Sequence, residues 1–114
     1  ADKATVACKS GSDIDVLKFL YEKYYSSLSS VAAMDMAVAG SPRKLRGKLD
    51  IIKYMYEKYY SSLSSAAAAT KASEGAQKVR KDGLSCLQKL YPTYYSSLSA
   101  VAAMDKAVAG CAAK

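Results

Sequence analysis

The side chains with chemical reach in this sequence are ten tyrosines, repeated serine pairs, two aspartates in matching places, three cysteines and two basic runs. Serine, tyrosine or aspartate becomes a nucleophile or an acid–base group only beside a neighbour that tunes it. Histidine is absent, which removes the commonest general base and a common zinc ligand. The Ser-Ser pairs have no base beside them, and no Gly-rich phosphate loop occurs. Asp35 and Asp105 could form a paired-carboxylate site, but the matching place between them holds Thr70. The sequence therefore predicts no catalysis, no metal site and no cofactor.

The elements that carry these residues repeat. Residues 21–30, Tyr-Glu-Lys-Tyr-Tyr-Ser-Ser-Leu-Ser-Ser, return letter for letter at 56–65 and in modified form at 91–100, a period of 35 residues. The stretch 31–40 returns almost unchanged at 101–110. Each copy carries a tyrosine triplet: Tyr21, Tyr24 and Tyr25; Tyr56, Tyr59 and Tyr60; Tyr91, Tyr94 and Tyr95. The tenth tyrosine is Tyr54. Helical spacing places the first two rings of each triplet in a core stripe and the third at its edge. Their hydroxyls then need partners at the rim, for which the following serines and nearby lysines are suited. An aromatic strip that docks a partner or pigment is the alternative.

Apolar residues from Leu17 to Val38 fall three and four apart, as on one face of a helix. Ser12 or Asp13 caps its start, and Gly40-Ser41-Pro42 stops it. Residues 13–39 contain no Gly or Pro, so the sequence predicts one long helix there, a second over 44–72 ended by Ser73-Glu74-Gly75, and a third over 76–109. Pro92 stands where the other copies have glutamate, and a proline inside a helix removes a donor and clashes with the preceding turn. A kink or break at Pro92 is expected, giving a four-helix appearance. Tetratricopeptide-type arrays have a similar period but need a turn within each unit. The predicted fold is thus all-α: one domain over 1–114, an antiparallel up-and-down bundle behind an N-terminal extension at 1–12. On this reading Asp35 and Asp105 lie inside the apolar stripe and must be paired with Arg43, Lys44 or a tyrosine hydroxyl.

The net charge is +7, from 17 basic and 10 acidic residues. The excess sits in Arg43, Lys44, Arg46 and Lys48, and again in Lys78, Arg80 and Lys81. These are the candidate partner-binding residues, suited to an acidic surface. With rod-like units the two runs fall at opposite ends of the bundle and do not form one stripe. They also lack interleaved aromatics, so nucleic acid is not an expected partner. Nothing is apolar enough to span a membrane, and any membrane contact is peripheral. Cys8, Cys86 and Cys111 lack metal-site spacing. One disulfide with one free thiol, or three reduced thiols, fits equally, and the pairing stays open. The Ala1 start suits a processed chain or a trimmed one.

The helix ending in Met34-Asp35-x-Ala37, the Ser41-Pro42 loop and the Lys-rich helix running into Lys58-Tyr59-Tyr60-x-x-Leu63 resemble PsbQ-like extrinsic photosystem subunits. The likeness covers about residues 30–70 and 90–110. It implies a basic four-helix bundle in the thylakoid lumen, held by charge to the acidic face of a membrane complex. The triplicated tyrosine segment and the three cysteines depart from that family, and none of its binding residues carries over. The function expected is a non-catalytic accessory or structural subunit. A stand-alone secreted or designed repeat bundle and a pigment- or lipid-binding bundle are the alternatives.

Overall fold

The computed structural model describes residues 13–112, and among these the fold is an all-α bundle. Six α-helices occur in order: α1 (Ile14–Tyr25), α2 (Ser30–Gly40), α3 (Leu49–Tyr60), α4 (Ser65–Lys78), α5 (Leu84–Tyr95) and α6 (Ala100–Gly110). A short 3-10 turn, Arg43–Leu45, lies between α2 and α3. The expected N-terminal extension and Cys8 lie outside the described residues.

The helix count corrects the rod-like reading. Each unit folds back on itself at Ser-Ser-Leu-Ser, without glycine or proline. The first serine of that turn ends the helix: Ser26, Ser61 and Ser96 each donate a hydroxyl to the carbonyl three residues earlier, at 2.7, 2.7 and 2.8 Å. The last serine starts the next helix. Ser29, Ser64 and Ser99 hold extended backbone, and each side chain accepts from the amide three residues on at 3.2 Å. Such a cap is worth about 1 kcal/mol. The cap torsions agree across the copies, with φ −66° in all three and ψ 162°, 162° and 163°.

Pro92 does not break its helix; it sits inside α5. Both Pro92 and Gln88, whose carbonyl loses its donor, lie on the exposed face, where water can serve that oxygen. Gly75 is likewise no turn but part of α4. A Cβ there would lie 2.8 Å from Met55 Sδ, so glycine permits the close approach of α4 to α3. Gly110 is pressed against Leu90 in the same way, again at 2.8 Å.

Each hairpin pairs its two helices most closely with each other, and neighbouring hairpins pack α1 on α3 and α4, and α3 on α5 and α6. The odd helices form one layer and the even helices the other, within a Cα envelope of 44 × 29 × 16 Å. The odd helices supply the bulk of the core: Val16, Leu17 and Leu20; Ile51, Ile52 and Met55; Leu87. The even helices present Ala33 and Ala37, Ala68 and Ala72, Ala103 and Ala107, all 0 % exposed. Small residues let the layers approach, and burying each large aliphatic side chain contributes about 1.5–3 kcal/mol.

The break at 26–29 resets the helical phase, which corrects three face assignments. Val31 is 70 % exposed, and Asp35 and Asp105 are also exposed rather than held in an apolar stripe. A stripe extended through the turn as one rod misplaces these three residues, although Val38 does pack against the core.

Candidate functional site

Because every unit is a hairpin, both inter-unit loops emerge at the same end of the molecule. The two basic runs therefore meet, against the expectation that they lie at opposite ends. A Cβ at Gly47 would stand 3.9 Å from Lys81 Nζ, which places the loop after α2 beside the loop after α4. Gly47 turns there with φ 79°, a left-handed conformation that glycine adopts freely. Its amide donates to Asp13 Oδ2 at 3.0 Å, tying the loop to the start of α1. That bond holds the Asp13 carboxyl below the usual range against the opposing effect of burial, helped by the Asp15 and Val16 amides and the Arg46 guanidinium.

One predicted site residue is structural instead. Lys48 is buried, and its Nζ donates to the carbonyls of Ala76 at 2.9 Å and Val79 at 2.5 Å. It thus closes the open C-terminal end of α4. Burial lowers its pKa, and the charges of Lys44 and Lys81 lower it further, so all three ammonium groups share one neighbourhood. Arg43, Lys44, Arg46, Lys78, Arg80 and Lys81 are exposed, with Asp82 and the Asp13 carboxylate as acids beside them. Cys86 and Cys111 form a disulfide, and Val79 pairs with Ala112 in an isolated antiparallel bridge. The C-terminal segment is thereby fastened beneath the second basic run. Closing a loop of 25 residues is worth about 3–4 kcal/mol in the chain-entropy account.

The tyrosines occupy the odd helices and the seams between units. Tyr24, Tyr56, Tyr59 and Tyr91 are buried; Tyr21, Tyr54 and Tyr94 are half-buried; Tyr25, Tyr60 and Tyr95 are more than half exposed. The third ring of each triplet stacks on the first: Tyr25 on Tyr21, Tyr60 on Tyr56 and Tyr95 on Tyr91, with centroids 5.6, 5.3 and 5.4 Å apart. The expected edge position thus lies in solvent, braced on one face.

Across the seams, Phe19 meets Tyr56 edge-on at 5.6 Å and Tyr54 meets Tyr91 at 6.3 Å. Lys23 lies over both rings of the first pair and Lys58 over both rings of the second. Tyr24 shares a 2.7 Å hydrogen bond with Thr70 Oγ1, and Tyr59 donates to Asp105 Oδ1 at 2.6 Å. Lys71 completes the second group with an ion pair to Asp105 at 2.9 Å. The tyrosine hydroxyl named as a candidate partner is thus found at Asp105. Burial raises the pKa of both phenols, and at Tyr59 the Asp105 carboxylate adds to the effect.

Two grooves of about 360 and 350 Å³ run along these seams, one lined by Tyr59, Lys71, Glu74 and Asp105, the other by Tyr24, Thr70, Ser73 and Glu74. Among the described residues, no group of three or more Cys, Asp or Glu is placed to hold a metal ion, and no helix is long and apolar enough to cross a membrane. Sequence reasoning passed over Phe19, Lys23, Lys58, Thr70 and Lys71 as contact residues. Their separations, 46 positions for the hydroxyl pairs, are one period plus the length of a hairpin arm, a signal readable only once the turn is known. No protein-family model, no curated protein and no solved structure matches this chain.

Proposed function

We propose that the chain is a non-catalytic accessory subunit that docks by its basic end onto an acidic protein surface of a larger assembly. The observation that carries this reading is the meeting of the two basic runs, which places Arg43, Lys44, Arg46, Arg80 and Lys81 at one end of a hairpin stack. Clustered cations on a scaffold braced by Lys48, Asp13 and a disulfide present a fixed pattern to an oppositely charged face. No aromatic ring interleaves with them, so the chemistry favours carboxylates over stacked bases. The resemblance to PsbQ-like subunits is the ground for proposing that this surface belongs to the lumenal side of a photosystem, with membrane contact at most peripheral.

The test uses the full chain with salt-washed thylakoid membranes, polyglutamate resin and duplex DNA. Membranes and polyglutamate should bind it and release it as salt shortens the screening length from about 10 Å at 0.1 M to about 3 Å at 1 M. Lys44→Glu with Lys81→Glu should abolish binding while helicity is kept. Attachment indifferent to salt and to charge reversal would contradict ionic docking. Binding to polyglutamate but not to the membranes would remove the photosystem placement alone, and preference for DNA would replace the acidic protein as partner.

A further inference from the structure

The structure assigns a second docking surface, independent of the basic end: the outer face of unit three fits the outer face of unit one of a second copy, head to tail. Three contacts between units recur one repeat further along the chain. Tyr24 with Thr70 becomes Tyr59 with Asp105; Phe19 with Tyr56 becomes Tyr54 with Tyr91; Lys23 over its ring pair becomes Lys58 over the next. One more step of the same translation leaves unit three and arrives at unit one of a following copy. Tyr94 then faces Asp35, Lys89 faces the ring of Tyr21, and Ser96 faces Ser30 as Ser26 faces Ser65 within the chain.

Each of these pairings is chemically competent. A phenol donates to a carboxylate, an ammonium lies over a tyrosine face, and a hydroxyl meets a hydroxyl. A carboxylate accepts several bonds at once, as Asp105 does from Tyr59 and Lys71, so Asp35 has capacity for Tyr94 beside its other interactions. The exposure pattern agrees. Tyr24 and Tyr59 are 1 % and 2 % exposed where a unit follows them, whereas Tyr94 is half-buried. Tyr56 and Tyr91 are buried where a unit precedes them, whereas Tyr21 is half-buried. Leu28 and Leu63 pack against the core, and their counterpart Leu98 is 37 % exposed. The side chains that each inner seam covers are the ones the two end faces uncover. This contact is heterologous, so each copy keeps a free face at either end and association continues past a symmetric dimer. Lys89 stands where the inner seams have an aromatic ring, which makes this seam weaker than those within the chain.

Sedimentation velocity on the full chain, from micromolar to millimolar concentration, tests the assignment. The mean mass should rise past the dimer without a plateau. Leu98→Glu should raise the concentration of half-association at least tenfold, Tyr94→Phe should raise it less, and Lys44→Glu at the basic end should leave it unchanged. A constant monomer mass, a plateau at the dimer, or association unaltered by Leu98→Glu and Tyr94→Phe in helical variants would overturn it.

Discussion

The two seams of the stack share one geometry and differ in chemistry. Between units one and two the buried phenol of Tyr24 meets a neutral hydroxyl, Thr70, and the adjoining position holds Met36. Between units two and three the buried phenol of Tyr59 meets the carboxylate of Asp105, and the same adjoining position holds Lys71, which pairs with it. The aromatic contact and the lysine above it are preserved in both. Packing of large rings on an alanine-faced layer therefore sets the spacing of the units. The polar group above each ring is adjustable, provided that the hydroxyl finds an acceptor or donor.

The largest effect that sharpens the comparison comes from removing a ring at a seam and at a free end. Tyr59→Ala should cost about 3–5 kcal/mol, as for other buried aromatic truncations. Tyr94→Ala, at the half-buried counterpart in unit three, should cost about half as much, read from denaturant midpoints. Equal losses would mean that the units do not stack as described.

Alkaline pH separates the seams next. Burial raises the folded-state pKa of Tyr24, Tyr56, Tyr59 and Tyr91, and Asp105 raises that of Tyr59 further. The unfolded chain loses these protons first, from about pH 10. Stability present below that pH should therefore fall as pH rises through it. Tyr59→Phe should flatten the decline more than Tyr24→Phe, measured by urea titration at a series of pH values; an equal change would deny Asp105 its part.

The smallest effect follows from transplanting one seam into the other. Met36→Lys with Thr70→Asp would place the charged group of the second seam at the first. The new surface ion pair should add only about 0.2–1 kcal/mol, and less at high salt. A gain above about 2 kcal/mol would show that the ion pair, rather than the ring packing, governs the seam.

Much of the molecule was legible from residue spacing. The period of 35 residues, the helical content, the Asp13 cap and the burial of Tyr24 and Tyr59 follow from the pattern of apolar residues and polar caps. The turn at Ser-Ser-Leu-Ser was not, because serine ends a helix through its hydroxyl rather than through its backbone. An apolar period that continues across the turn hides the break. That one omission propagated. It put Asp35, Asp105 and Val31 on the wrong face and sent the basic runs to opposite ends. The break expected at Pro92 came separately, from the proline itself, which its helix accommodates on the exposed face. Rods alternate their loops between two ends, whereas hairpins return every inter-unit loop to one. The role of Lys48 depends on where α4 ends, which local sequence did not settle.

The hairpins, the seams and the shared basic end all depend on each 35-residue unit folding back upon itself. Spin labels at positions 18 and 39, both exposed, in a Cys8→Ser background would measure this directly. In a hairpin the two backbone sites lie on the order of 12 Å apart, from one helix-to-helix spacing and a short axial offset. In a continuous helix they would be separated by about 31 Å at a rise of 1.5 Å per residue. The shorter distance is the predicted result, and the longer one would contradict the hairpin, the seams and the shared basic end together.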